Sequence, residues 1–188
     1  MNIVILSGSN VGSKTKVATE KAMEIMTKNN QDYEVTMLDL ADYEMEFSDG
    51  RNYFEYEGDT KYVAETMMAA DAIIIGTPIF QASIPATLKN VFDLLPVNAF
   101  LDKVVSIIVT AGTAKHYLIA EQQLKPILAY MKAHIVPTYV FIEEADFLRE
   151  EIINDDVHFR LERLVEDTIL NVEAQQIIRE KLDEQYDF

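Results

Sequence analysis

The chain has 188 residues, 49% of them hydrophobic, which is enough to bury a full core in one domain and short for two. Its formal charge of -16 at pH 7 argues against nucleic acid or an anionic membrane surface as a partner, since both reward clustered Lys and Arg. With no cysteine in the chain, thiol nucleophiles, disulfides and thiolate metal sites are excluded.

The opening stretch MNIVILSGSN carries no basic leader region and too short an apolar run for a signal segment. No later run approaches the ~18 apolar residues that span a bilayer, so a soluble cytoplasmic protein is expected. IVIL at 3–6 reads as a strand covered on both faces. It gives way to SGSNVGSKT, rich in Ser, Thr and Gly, and then to helical spacing over 14–29. EVTMLDL at 34–40 is a weaker, alternating strand. Residues 41–59 are too polar and irregular for a core strand and read as a surface excursion, in which Tyr53, Phe54 and Tyr56 either pack the loop down or cap a neighbouring pocket. There follow a helix over 60–70, the strand DAIIIGTP (71–78), a helix over 85–95, the strand VVSIIVTAG (104–112), a helix over 114–133 and a fifth strand, IVPTYVFI (135–142). From Asn154 on, Phe159, Leu161, Leu164, Val165, Ile169, Leu170, Val172, Ile177 and Ile178 form a broad helical stripe. One long helix or two, docked on the sheet with an acidic solvated face, is expected there.

Strand alternating with helix predicts an α/β fold with a doubly wound parallel sheet. Five strands in this spacing favour a flavodoxin-like three-layer sandwich in the order 2-1-3-4-5. The chain reads as one domain over 1–188, with 154–186 as a helical extension docked on it.

In such a sheet ligands collect outside the carboxyl ends of the strands, where the strand order reverses. Three loops lie there: SGSNVGSKT, TPIFQASIP and TAGTAKHY. The first lacks both the Walker A spacing and the three glycines of the Rossmann fingerprint. What remains is a nest of donors, from Ser7, Ser9, Asn10, Ser13 and Thr15, at a helix start whose unpaired N–H groups favour a phosphomonoester. The second loop is stiffened by Pro78 and Pro85 and supplies a fixed wall for a planar ligand. The third offers backbone N–H groups around Ala111, Gly112 and Thr113 to polar atoms on a ring edge. His116 is a candidate base, although a lone His at a helix start is more often a structural donor.

These loops, together with GTPIFQASIPATLKNVFDLL (76–95) and TAGTAKHYLIAEQQLKPIL (110–128), resemble the NAD(P)H-dependent FMN reductases of flavodoxin-like fold. The likeness is greatest to those that supply reduced flavin to alkanesulfonate monooxygenases. The resemblance implies FMN, with NADPH or NADH, as cofactors and hydride transfer from nicotinamide C4 to flavin N5. It draws Ser7, Ser9, Asn10, Ser13, Lys14 and Thr15 to the phosphate, and Pro78, Ile79, Phe80, Gln81 and Ser83 to the isoalloxazine. Ala111, Gly112 and Thr113 close the pyrimidine end. No catalytic acid or base and no metal is implied. Two departures are Asn10 and Val11 where many members carry Arg, and Ala111 before Gly112 where many carry Gly-Gly. A flavodoxin-like electron carrier and a quinone or azo reductase using bound FMN are the rival readings. Leu88, Val91, Phe92, Leu94 and Leu95 exceed one sheet-facing stripe and predict a homodimer or homotetramer. A flavin-dependent monooxygenase is a candidate partner.

Overall fold

The apolar runs pair in the expected order, β2-β1-β3-β4-β5 and all parallel, in a computed structural model that describes residues 1–29 and 32–186. The strands are β1 (Asn2–Ser7), β2 (Glu34–Asp39), β3 (Ala72–Pro78), β4 (Val104–Ala111) and β5 (His134–Ile135). Every residue of β3 is buried, which is why that strand reads as an unbroken apolar run rather than an alternating one. Helices α1 (Lys14–Asn29), α2 (Gly58–Ala69) and α3 (Ala86–Leu94) fall where helical spacing places them. Ala18, Ala22 and Met26 of α1 pack on one face of the sheet with Ile5 and Ile74, whereas Val63 of α2 and Leu88 of α3 pack on the other with Leu6 and Ile75. Each fully buried Ile or Leu contributes about 1.5–3 kcal/mol. The result is the three-layer arrangement that the alternation requires.

The fifth strand departs from expectation. It breaks into β5 and β6 (Val140–Glu143), both on β4, with Val104 opposite His134 and Ile108 opposite Val140. Two extra residues are thereby looped out between the halves. Pro137 lies in this bulge, where its missing N–H removes nothing from the ladder, and its carbonyl accepts from Lys125 Nζ at 2.7 Å.

The helix expected over 114–133 is likewise divided into a 3-10 turn (Ala114–His116), a π turn (Ala120–Leu124) and α4 (Lys125–Tyr130). Pro126, in the first turn of α4, has no N–H to continue an i→i−4 ladder, and Lys125 N bonds to Ala120 O instead. A two-stranded antiparallel hairpin, β7 (Phe147–Leu148) and β8 (Glu151–Ile152), has no counterpart in the sequence reading.

The C-terminal stripe forms a single 32-residue helix, α5 (Asp155–Tyr186). Val157, Leu161, Leu164, Val165 and Val172 dock beside α1, but Phe159, Leu170, Ile177 and Ile178 are exposed, so only part of the stripe is used. Within this interface Ser106 Oγ and Thr168 Oγ1, both fully buried, meet at 2.6 Å. At the opposite end of the sheet from the three loops, Lys103 Nζ donates to the carbonyls of Met67 (3.0 Å) and Met68, closing the end of α2. Burial pushes the Lys103 ammonium down to about 8, against the pull of Asp71. No helix among the described residues is long and apolar enough to cross a membrane.

The excursion at 41–59 packs down on α3, where Ser48 N donates to Asn90 Oδ1 at 2.9 Å and Asn90 Nδ2 to Glu46 O at 2.8 Å, and on itself. Tyr56 is buried, its hydroxyl donates to Asp49 Oδ1 at 2.8 Å, and the Arg51 guanidinium lies 4.1 Å from its ring centre. Arg51 also holds the Asp49 carboxyl down to about 2.

Candidate functional site

β1, β3 and β4 end close together, with Ser7 opposite Gly76 and Pro78 opposite Thr110. The loops that follow them, with the turn after β6, surround a cavity of about 370 Å³.

The loop after β1 is tied at its base. Gly8 N donates to Gly76 O at 2.8 Å and Thr87 Oγ1 to Gly8 O at 3.2 Å. Ser9 is buried and its hydroxyl is used within the loop, donating to Val11 O at 2.7 Å and accepting from Val11 N at 3.2 Å. Gly12 then turns the chain at a φ of +81°, a conformation L side chains rarely adopt. Ser13 O accepts the first intrahelical bond, from Val17 N at 2.9 Å, so Ser13 is the N-cap of α1. The N–H groups of the first turn have no partner inside the helix and carry the positive end of its dipole. Val11, Gly12, Ser13, Lys14 and Thr15 line the cavity; Ser7, Ser9 and Asn10 do not. Ser7 is buried as the last residue of its strand, and Asn10 points to solvent.

Close packing of α1 fixes this loop over the sheet. A Cβ on Gly76 would come within 2.3 Å of Thr19 Cγ2 and 3.1 Å of Thr15 Cγ2, so only glycine admits the helix here. Thr15 Oγ1 meets Thr110 Oγ1 at 2.7 Å, a pair of hydroxyls at the floor of the cavity, so the Thr15 hydroxyl already has a partner in the protein.

Pro78, Ile79 and Phe80 form the wall after β3, and Ile79 N donates to Thr110 O at 3.1 Å. Phe80 is 38% exposed and borders the cavity rather than pointing into the core. Phe80 and Ser83 exchange both backbone bonds, each 2.9 Å, around a two-residue turn in which Gln81 and Ala82 have φ of 48° and 58°. Neither is glycine, so the turn is strained and held by its surroundings. Gln123, presented by the π turn, supplies the hold by donating to Ala82 O at 3.1 Å and accepting from Ser83 Oγ. Gln81 and Ser83, expected at the ring, do not line the cavity, and Ser83 acts on the turn instead.

Ala111 and Gly112 line the cavity after β4, whereas Thr113 caps the next turn, its Oγ1 accepting from Lys115 N at 3.0 Å. His116, Tyr53, Phe54 and Tyr56 are not among the lining residues. Sequence reading passed over Val11, Gly12, Thr110, Glu144 and Phe147 as lining residues. The last two come from the turn and hairpin after β6, which no periodicity announces. Lys14 pairs with Glu144, and its Nζ lies 5.7 Å from the Phe147 ring centre. Lys16 belongs to Asp39 (2.9 Å) and Asp42 (3.6 Å), and its pKa is raised chiefly by its hydrogen bond to Asp39. Among the described residues no group of three His, Asp or Glu is placed to hold a metal.

A donor-rich helix start at one end and a stiff apolar wall at the other suit a phosphorylated planar ligand, and the residues present fit FMN. The family model of NADPH-dependent FMN reductases matches residues 1–147. An NAD(P)H-dependent FAD/FMN reductase of Geobacillus thermodenitrificans (strain NG80-2) is 38% identical over 165 residues, 87% of this chain and 89% of that one. An FMN reductase (NADPH) of Escherichia coli (strain K12) is 31% identical over 150 residues, 79% and 76% of the two chains. The fold is shared with an apo NADH:FMN oxidoreductase at a TM-score of 0.75 and 24% identity, over 90% of this chain and 88% of that one. The chain therefore belongs to the family of NADPH-dependent FMN reductases.

Proposed function

We propose that this chain binds FMN in the crevice between the loops after β1, β3 and β4, receives there a hydride from NADPH or NADH, and passes reduced flavin to a partner or small acceptor. The observation that carries this reading is the single cavity bordered by Gly12, Ser13, Lys14 and Thr15 at one end and by Pro78, Ile79 and Phe80 at the other. FMN, when bound, supplies the redox chemistry; the protein supplies orientation. Ser13 and the first-turn N–H groups hold the phosphate with Lys14, while Thr15 anchors the floor through Thr110. Ser7, Ser9 and Asn10 shape the loop. Ile79 and Phe80 set the plane of the ring, and Ala111 and Gly112 meet its polar edge. Gln81, Ser83 and Thr113 act from behind these surfaces.

The decisive experiment is NAD(P)H oxidation by the purified protein with and without FMN. FMN-dependent turnover is expected, and its absence would leave a flavodoxin-like carrier. Ser13→Ala should weaken FMN by about 1.5–3 kcal/mol, the worth of a hydrogen bond to a charged group, and leave riboflavin nearly unchanged. Equal losses for both would sink the phosphate assignment.

We place the protein in the cytoplasm as a homodimer or homotetramer, with a flavin-dependent monooxygenase as a candidate recipient. The apolar residues of α3 and its C-cap do not support pairing, because Leu88, Val91, Phe92, Leu94 and Leu95 are all buried in their own chain. Support comes instead from an apolar groove of about 470 Å³ between α3 and α4, whose rim residues Val97 and Tyr130 are 54% and 68% exposed. Sedimentation at 21.4 kDa alone would refute pairing.

A further inference from the structure

Among the residues lining the cavity, Lys14 is the one cation and Glu144 the one anion, and they are paired with each other. The neighbouring cation, Lys16, is already engaged by two carboxylates. Glu144 sits on a built turn. Glu143 N donates to Asp146 Oδ2 at 2.8 Å, Asn154 Nδ2 to Asp146 Oδ1 at 2.7 Å, and Ile153 N to Asp146 O at 2.8 Å. None of these bonds uses the Glu144 side chain, which is left to meet Lys14.

Building on the FMN reading above, we propose that Glu144 competes with the flavin phosphate for Lys14 and so sets how readily phosphorylated flavin enters and leaves. A phosphomonoester brings a charge of about -1.5 to -2 at pH 7. To reach Lys14 it must displace the carboxylate or stand beside it, and either course weakens binding. The side chains of Lys14 and Glu144 are 30% and 62% exposed, so solvent screens the effect and keeps it modest. The ring wall is untouched by this exchange. The penalty therefore falls on FMN and not on riboflavin, which suits a flavin that is handed on rather than retained.

The test is titration of FMN and of riboflavin, followed by flavin fluorescence, on the wild type, Glu144→Gln, Lys14→Met and the double variant, at low and high salt. Glu144→Gln should tighten FMN about 2- to 5-fold at low salt, the reach of a partly exposed ion pair, with riboflavin unchanged and the gain shrinking at high salt. In the Lys14→Met background the gain should largely vanish. An unchanged FMN affinity, or an equal change for both flavins, would overturn the proposal while leaving FMN binding intact. A wild type that binds neither flavin would overturn both this proposal and the function on which it rests. Melting temperatures of the variants should match the wild type, since the turn is closed by Glu143, Asp146 and Asn154.

Discussion

The loop at residues 8–13 and the turn at 79–83 border the same crevice but are held in different ways. The first is tied at its base, through Gly8, and its tip is exposed, with the Ser9 hydroxyl bonding within the loop to Val11. The second is closed by two backbone bonds, forced through two left-handed residues and clamped from behind by Gln123. A phosphate can be met by N–H groups that adjust as the anion arrives, whereas a ring must be placed before the reaction because hydride transfer tolerates little error in orientation. Strain is found at the wall proposed for the ring, and the Lys14–Glu144 ion pair at the end proposed for the phosphate.

The sharpest way to break this contrast is Phe80→Ala, which removes the wall without touching the core. Single-turnover flavin reduction should slow by up to ~100-fold with the melting temperature nearly unchanged. A destabilised protein with normal hydride transfer would instead make Phe80 a packing residue. Gly76→Ala strikes the other side. Its Cβ has no room against Thr19, so α1 must shift, and chemical denaturation should show a loss of about 1–3 kcal/mol together with weakened FMN binding. Ala82→Gly should move stability the other way, by about 0.5 kcal/mol, because relief of the left-handed strain slightly exceeds the added chain entropy. No gain in denaturation midpoint would mean the turn is not strained.

Lys103, remote from both walls, provides a pH reference. Its folded value of about 8 lies below the ordinary 10.5, so between those pH values the unfolded chain holds a proton that the native state has released. The Lys103 contribution to stability thus rises with pH through that window and is lost as pH falls back through 8. The melting temperature of the wild type minus that of Lys103→Met should increase from pH 7 to pH 10; a flat difference would remove the burial argument.

Much of this architecture is legible in the sequence, because long elements repeat their signal. IVIL and DAIIIGTP read as buried strands and lie at the centre of the sheet, and the helix read over 14–29 is α1. Shorter features fail for want of repetition. A two-residue strand such as Phe147–Leu148 has no period to detect, and a π turn has no residue signature of its own. Pro137 and Pro126 could have flagged the broken strand and broken helix, but their neighbours are apolar enough to hide the interruption. At the site, the loops were found through their small polar residues. Glu144 escaped because one carboxylate among 32 acidic residues carries no distinguishing pattern. Likewise, residue type alone marks Ser9 and Ser83 as ligands, whereas their hydroxyls are committed to the protein itself.

The hydroxyl pair between Ser106 and Thr168 gives the long C-terminal helix a fixed index mark. Apolar side chains alone would let a regular helix slide along the sheet by one turn, about 5.4 Å, at modest loss. Such a slip would leave the buried Ser106 hydroxyl without its partner, at about 1–3 kcal/mol, while Thr168 Oγ1 keeps its bond to Leu164 O at 2.6 Å within the helix. Together with the Arg179 guanidinium, which donates to the Asp102 carbonyl, this contact fixes where the exposed Ile177, Ile178 and Leu182 of the distal half lie.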